Sequence, residues 1–559
     1  QNSPVVRQTS PVDVARQFLT AWDAGDTEAM YRLTSARSQA IYAFETFDRV
    51  YNQLASQLGE EQSVTFDLGE PQLQGTSAAL RYAVTIQSST FGEIVDEGRI
   101  MRLVQESDQW RVAWSTMDIF DGYTADATLS VEREAQRRAN IFDRDGDILV
   151  QEGGTVSVIY VQQNLMNGAQ ECSALLADLM YEPIAEMRQE WSRYDPVTIF
   201  YVGDLDQATE IEYRERLTNE CGSTRDNGLI LTRNTRAYRD QGAVVHVTGY
   251  SGQIPADPDR QLERLIIQGN YGEGDLLGLT GVERQFELQL AGDAPRVLRI
   301  TEPGGVVLRE LGRVSGTPPQ PVYLTVDDEL QVATSRAVAW GYNYAANNWA
   351  EPGRSDGGGA VVLDVNTGAI LAMTSFPTFQ PGLFNSDSFA DNRGTRLAEV
   401  INDPRTPLTV RPTQESYAPG SVYKIVTTAA VLNEGITASG NVFDCTLQWD
   451  GSQAYGDTIS PRFDWRFADG LEATGPIVPS QALTASCNPF YYEFGARMFR
   501  DVGAATLVDY TRLMGINGLT GIGVYPEAPG TIPVPQSVDA AISNSVGQGD
   551  TQTTIMQMA

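Results

Sequence analysis

Near the start of the chain, apolar positions recur with helical period. Val14, Ala15, Phe18, Leu19 and Trp22 form one stripe, and Ser10 and Pro11 supply a cap and a first helical position. Gly25 ends that helix, Asp26 caps a second one, and Met30 and Leu33 lie on its apolar face. Beyond about residue 62 the period falls to two. SVTFDLG, SAALRYAVTIQ, GRIMRLVQES and WRVAWSTMD read as consecutive strands. A helical start followed by antiparallel strands predicts a small α+β domain over residues 8–122. DGYTADATLS, residues 121–130, reads as a linker.

From about residue 131 the pattern is mixed. Short strands such as TVSVIYV and a helical stretch around 173–193 precede an interval, 251–320, with several Gly/Pro/Asp clusters and no long periodic element. This predicts an irregular, mostly-β domain over residues 131–315. PVYLTVDDELQVATSRAVAWGYNYA then reads as a strand running into a long helix. Two apolar runs around Asn366, Thr367 and Gly368 predict a hairpin of central strands. IVTTAAVLNEG and the stretch around 480–500 are helical, so residues 316–559 read as a mixed α/β domain. The whole is a multidomain α+β protein.

Composition narrows the function classes. The chain has 559 residues, 42% apolar and 20% charged, which excludes wholesale disorder and allows three or four domains. A net charge of −32 repels phosphate backbones and anionic lipid, so nucleic acid is excluded as a partner. No apolar run reaches the roughly 18 residues of a membrane span, and Gln1 does not begin a signal segment. Any anchor or signal is expected to have been removed or never to have existed. The four cysteines make no C-x-x-C pair and His246 is the only histidine, which argues against zinc. No metal or cofactor is expected. Cys172–Cys221 and Cys445–Cys487 pairings would each stay within one domain and imply an oxidising, extracytoplasmic location; four buried thiols fit the sequence equally well.

One count changes the picture. Of the 40 basic residues, Lys424 alone is lysine. Codon bias or a salt-adapted surface explains why lysine is scarce, but not why one survives. Arginine replaces lysine wherever positive charge suffices, but not where the group must lose its proton. Lys424 is therefore a candidate for acid–base chemistry. It stands in Tyr417-Ala418-Pro419-Gly420-Ser421-Val422-Tyr423-Lys424, ahead of a helical run. Pro419 and Gly420 fit a turn, which puts Ser421 at a helix start, where free N–H groups can stabilise an oxyanion. Lys424 is one turn on, so its amine can reach the Ser421 hydroxyl and act as its base once its pKa is lowered. An N-cap serine beside a solvated lysine is the bland alternative.

Thr484-Ala485-Ser486-Cys487-Asn488-Pro489-Phe490 is the second segment. Ser486 could relay a proton, and Asn488 could hold the lysine and a substrate amide; standing alone, the segment reads as a polar loop cap. His246, in an alternating apolar context, reads as structural, and no Ser-His-Asp triad is built on it. Asp327, Asp328 and Glu329 read as a solvated helix start. Phe490, Tyr491, Tyr492 and Phe494 read as core.

At these residues the sequence resembles class B penicillin-binding proteins, the extracytoplasmic D,D-transpeptidases that cross-link peptidoglycan and are acylated by β-lactams. YAPGSVYKIVTTAAVLNEG and SCNPFYYEFG are similar to the S-x-x-K and S-x-N blocks. RANIFDRDG, with alanine for the usual glycine, HVTGYSGQIP and GDLLGLTGVERQFE resemble signatures of the pedestal region. VVLDVNTGAILAMTSFPTFQPGLFN resembles the first strands of the penicillin-binding domain, and GQGDTQTTIMQMA, with Thr554 for proline, a later segment. The first domain, ending WRVAWSTMDIF, is similar to the nuclear-transport-factor-2-like domain of MecA-type transpeptidases. The resemblance implies a cone-like α+β first domain, a pedestal (dimerisation-type) domain and a β-lactamase-like transpeptidase domain. It also implies Ser421 as acylated nucleophile, Lys424 as base, and Ser486 and Asn488 as relay and positioning pair. Implied partners are peptidoglycan stem peptides ending in D-Ala-D-Ala, β-lactams, and a membrane glycosyltransferase of the cell-wall machinery. The implied location is the cell envelope, anchored by an N-terminal segment or lipid absent from this chain.

The family's K-[ST]-G motif should follow the Q-M-A segment, where this chain stops. The expectation is a transpeptidase domain incomplete at its C-terminus, with poor turnover by these residues alone. Two other readings remain: a β-lactam-hydrolysing or D,D-carboxypeptidase enzyme, in which water resolves the acyl-enzyme, and a non-catalytic β-lactam-binding or scaffold protein.

Overall fold

In the computed structural model, which describes residues 9–559 except 60–61, 135–136, 270, 273–274, 349–356, 385–392, 517 and 525, the chain falls into two units. One joins residues 1–137 with 291–319; the other joins 138–290 with 320–559.

The first unit opens as its caps dictate. The Ser10 hydroxyl accepts from the Asp13 N–H, Asp13 returns the bond to the Ser10 N–H, and the helix Pro11–Asp23 follows. Asp26 caps the helix Thr27–Arg32 through the Ala29 N–H. Four antiparallel strands, Gln62–Gln74, Ser77–Ser88, Gly92–Glu106 and Gln109–Val112, pair in sequence order. Alternate residues of the second strand, Leu80, Tyr82, Val84 and Ile86, are buried beneath Phe18, Leu19, Phe47 and Tyr51 from the helices.

Three sequence expectations fail here. The helices Ala36–Ile41 and Phe44–Leu58 were not anticipated, although Phe47, Tyr51, Leu54 and Leu58 carry the helical spacing. WRVAWSTMD is strand only to Val112; Asp118 then accepts from the Ser115 N–H and closes a 3-10 turn. The supposed linker 121–130 is core. Tyr123, Ala127 and Leu129 are buried, and Thr128–Arg133 is a strand paired with Arg296–Thr301, itself paired with Val307–Val314. Polar spacers hid the alternation of its apolar residues.

The second unit is built on the long strand Ile148–Gln162, which pairs with Ile199–Asp206, Ile230–Tyr238 and Ile141–Phe142. A disulfide from Cys172 to Cys221 ties the helices Ala169–Met180 and Gln207–Cys221. The interval read as lacking periodicity contains the helix Arg260–Gly269. Beside it lies a buried ionic cluster. Arg138 donates to Glu283 (2.7 Å) and Glu287 (2.8 Å), and Arg236 pairs with Glu283 and, at 3.2 Å, with Glu152. Gly278 donates its N–H to Glu287 (2.7 Å). A Cβ on Gly278 would lie 2.1 Å from the Glu283 carbonyl oxygen, so only glycine lets the backbone approach the cluster.

The strand Val322–Tyr323 leads to the helix Asp328–Asn348, as the pattern suggested. Asp328 is buried against Arg239 (2.6 Å), not solvated. Burial pushes its carboxyl up to about 6. The hairpin forms from Gly358–Leu363 and Ile370–Phe376, with Asp364 closing the turn. These strands are not central: among the described residues they pair only with each other. The Gln331 side chain takes the place of a neighbouring strand for Met373, accepting its N–H (2.8 Å) and donating to its carbonyl (2.9 Å). The helices Lys424–Asn433, Asn488–Arg497, Thr506–Leu513 and Val538–Ser545 share one core, in which Phe490, Tyr491, Tyr492 and Phe494 are buried as expected. Among the described residues no helix is long and apolar enough to cross a membrane.

Candidate active site

Pro419 precedes a 3-10 turn, Gly420–Tyr423, that runs directly into the helix Lys424–Asn433. The turn is braced from outside. Gly420 donates to the Gly547 carbonyl (2.8 Å), and Tyr417 and Thr553 exchange backbone hydrogen bonds of 2.8 Å. A Cβ on Gly547 would sit 2.1 Å from the Gly420 carbonyl oxygen, so the first glycine of GQGD allows this contact. Ser421 is exposed and Lys424 is buried, so the turn presents a hydroxyl to solvent and hides an amine behind it.

The partners of that amine come from the turn between the helices Pro479–Thr484 and Asn488–Arg497. Ser486 adopts a left-handed backbone (φ +53°), which directs its carbonyl and its hydroxyl to the same point. Lys424 Nζ lies 2.9 Å from Ser486 O, 2.9 Å from Ser486 Oγ and 2.6 Å from Asn488 Oδ1. Ser486 Oγ is 3.1 Å from Ser421 Oγ. The structure thus brings together all four residues singled out in the sequence. It differs in connectivity: the amine bonds to Ser486 and Asn488, and Ser421 is reached through Ser486.

Burial is the largest influence on Lys424 and lowers it to about 8; the charge of Asp464 acts in the opposite direction. As an ammonium the nitrogen donates to all three oxygens, and the Ser486 hydroxyl donates onward to Ser421. The Tyr491 ring lies beneath, its centroid 5.1 Å from Nζ, with its hydroxyl 2.9 Å from Thr428 Oγ1. Cys487, between Ser486 and Asn488, is bonded to Cys445, so a disulfide anchors this turn to the strand Phe443–Cys445. Cys445, Asp464 and Cys487 form a close group of potential metal ligands, but with both sulfurs in the disulfide it offers no thiolate.

Three family models match in succession. Residues 10–126 match the NTF2-like N-terminal transpeptidase domain, 133–324 the penicillin-binding protein dimerisation domain, and 358–559 the penicillin-binding protein transpeptidase domain. The chain belongs to the class B penicillin-binding proteins. It is 28% identical over 432 residues to the peptidoglycan D,D-transpeptidase MrdA of Escherichia coli K12, a match covering 75% of this chain and 61% of that one. It is 21% identical to penicillin-binding protein 3 of Bacillus subtilis 168, over 98% of this chain and 77% of that one. A solved structure titled "Structural coordination of polymerization and crosslinking by a peptidoglycan synthase complex" has the same fold at a TM-score of 0.52 and 24% identity, covering 77% of this chain and 69% of that one.

Elsewhere in this penicillin-binding protein, His246 is buried and donates from Nε2 to the Pro407 carbonyl (2.8 Å); burial lowers its ring to about 4. It lies in a hydrophobic core, as its apolar surroundings in the sequence suggested. The cysteines form two disulfides, which settles a choice the sequence left open. Sequence reasoning missed Asp464, which caps the short helix Trp465–Ala468 and also reaches Asn488. An Asp before a helical stretch is a visible capping signal, but nothing local points to a residue 24 positions away.

Proposed function

We propose that this protein is a serine D,D-transpeptidase that cross-links peptidoglycan. The observation that carries this reading is a buried amine with neutral partners only, linked through one hydroxyl to an exposed serine. In the ammonium form Nζ donates to all three oxygens, and the Ser486 proton points at Ser421. Once the amine is neutral the chain reverses: Ser421 donates to Ser486, and Ser486 to Nζ.

Ser421 Oγ then attacks the carbonyl carbon of the penultimate D-Ala of a stem peptide. The oxygen charge that develops is held at the start of the turn by the Ser421 N–H, since the Gly420 N–H is taken by the Gly547 carbonyl. The C–N bond to the terminal D-Ala breaks, the proton held by Lys424 passes to the leaving amine, and an ester on Ser421 remains. A neighbouring stem amine resolves it, which forms the cross-link. A β-lactam acylates the same serine: its ring C–N bond breaks, the ring nitrogen takes the proton, and the amine stays tethered to the ester.

The reading assigns residues 316–559 to transpeptidation, 131–315 to the pedestal and 8–122 to the MecA-type domain. It sets the protein outside the cytoplasm, in the cell envelope, in keeping with its two disulfides. A membrane glycosyltransferase is the partner it proposes. Intact-mass measurement after exposure to benzylpenicillin tests it. An adduct that forms slowly on these residues alone, maps to Ser421 and is absent in Ser421→Ala is expected; a protein still unmodified after prolonged exposure overturns it. A long-lived adduct marks a synthase, and rapid release a hydrolase.

A further inference from the structure

We infer that Asp464 is a positioning residue for this site: a buried carboxylate that fixes the Asn488 backbone by a hydrogen bond and tunes the Lys424 amine by its charge. The inference rests on the transpeptidase reading of Ser421 and adds to it a residue outside both sequence motifs.

The geometry is short and stiff. Asp464 is 2% exposed. Its own N–H donates to the Leu447 carbonyl (3.0 Å). One carboxylate oxygen accepts from the Arg466 N–H (3.1 Å) and the other from the Asn488 N–H (2.9 Å). The side chain of the same Asn488 accepts from Lys424 Nζ at 2.6 Å. One residue thus links carboxylate to amine. Next in sequence, Trp465 donates from its indole to the Ala485 carbonyl (3.2 Å), so two neighbouring residues grip both sides of the Ser486 turn.

Both carboxylate oxygens meet neutral N–H groups, and among the described residues Asp464 has no ion-pair partner within 4 Å. Its charge is therefore not cancelled locally. The other groups around the amine, Ser421, Ser486, Asn488 and Tyr491, are uncharged; burial pushes the Tyr491 phenol up to about 12. Among the described residues, Asp464 is the charged group whose field favours the protonated amine, against burial, which favours the neutral one. Lys424 would lose its proton too readily without it, and Asn488 would lose its anchor.

The single lysine makes the test direct. Lysine-selective 13C,15N labelling of the protein yields one side-chain signal, whose titration reports Lys424 without assignment. Asp464→Asn keeps an acceptor for Asn488 but removes the charge. Its midpoint is expected to move to lower pH by about half a unit or more. The rising limb of benzylpenicillin acylation should move with it. Asp464→Ala removes the hydrogen bond as well and is expected to lose about tenfold in acylation rate at every pH. Asp464→Glu keeps the charge and should keep the midpoint. A midpoint unchanged in Asp464→Asn, or moved equally in Asp464→Glu, overturns the inference, and either variant alone suffices should the other not fold. Absence of a penicillin adduct on the unsubstituted protein strikes the transpeptidase reading instead, and leaves the lysine titration readable.

Discussion

The chain buries two kinds of cation and treats them in opposite ways. Arg138 sits between Glu283 and Glu287, with Arg236 on the far side of Glu283. Burial opposes the Glu283 charge, yet the two guanidiniums outweigh it and hold the carboxyl below its ordinary range; Arg138 is held well above its own. Every charge there has a counter-charge, and the protonation state is locked. Lys424 has none in contact: three neutral oxygens and an aromatic face surround it, and it falls to about 8. Burial with compensation makes a structural brace. Burial without it makes a group that changes its proton near neutral pH. Arginine suits the first role and cannot perform the second, which on the proposed reading sets the one lysine apart among the 40 basic residues.

The strongest way to break this contrast is to exchange the residue types. Lys424→Arg keeps the charge and removes the proposed base. Penicillin acylation is expected to fall by about 10³-fold, measured as adduct formation against time, with the melting transition little changed. Glu283→Gln does the reverse. It leaves two buried guanidiniums short of a counter-charge and is expected to cost about 3–5 kcal/mol in denaturant unfolding, with any loss of acylation following loss of fold. The two sites also give opposite acid–base signatures. Between about 8 and 10.5 the unfolded chain holds a lysine proton that the folded chain has released, so the Lys424 contribution to stability rises with pH. The Glu283 contribution is present above the ordinary Glu range near 4.5 and is lost as the pH falls through its lowered folded value. Unfolding curves of the two variants across pH 3–11 check both signs.

The site was legible in the sequence to the extent that its chemistry is local. Ser421 and Lys424 share one turn, and Ser486 and Asn488 share another, so their spacing alone made them candidates. What the sequence hid is contact across long separations: the relay through Ser486 rather than a direct bond, the Asp464 carboxylate, and the Tyr491 ring, which reads as ordinary core and is also the floor beneath the amine. The same division holds for the fold. Helices marked by caps, such as Pro11–Asp23, and the strand alternation of Ser77–Ser88 were readable. Residues 121–130 were misread because their Asp, Gly and Thr content signals a linker, while their partner strand Arg296–Thr301 lies far along the chain.

The two disulfides sharpen the comparison at a smaller scale. They close loops of similar length, with sequence separations of 49 and 42. Removing either should therefore cost similar stability, about 2–4 kcal/mol. Their effects on chemistry should differ. Cys445→Ser with Cys487→Ser frees the turn that carries Ser486 and Asn488 and is expected to slow acylation by about tenfold, a loss of roughly one hydrogen bond's worth of positioning. Cys172→Ser with Cys221→Ser loosens only the packing of two helices in the other half of the second unit and should leave the acylation rate of folded protein unchanged. Equal losses in both double variants would mean that the Cys445–Cys487 bond acts only through stability.

The smallest effect concerns the ring under the amine, and it separates packing from electrostatics. Tyr491→Phe deletes the hydroxyl beside Thr428 but leaves an aromatic face 5.1 Å from Nζ in the parent geometry. The acylation rate should change by less than about threefold, because a single neutral hydrogen bond contributes only about 0.5–1.5 kcal/mol net and this one touches the lysine only through its own helix. Tyr491→Leu removes the face. An aromatic ring beneath an ammonium favours the charged form by about 0.5–2 kcal/mol, so its loss should move the Lys424 midpoint to lower pH, in the same direction as loss of the Asp464 charge. The Phe variant should leave that midpoint in place. If Phe and Leu move it equally, the phenol hydroxyl rather than the ring is the partner of the amine, and the neutral surroundings of Lys424 include one more polar group than its contacts indicate.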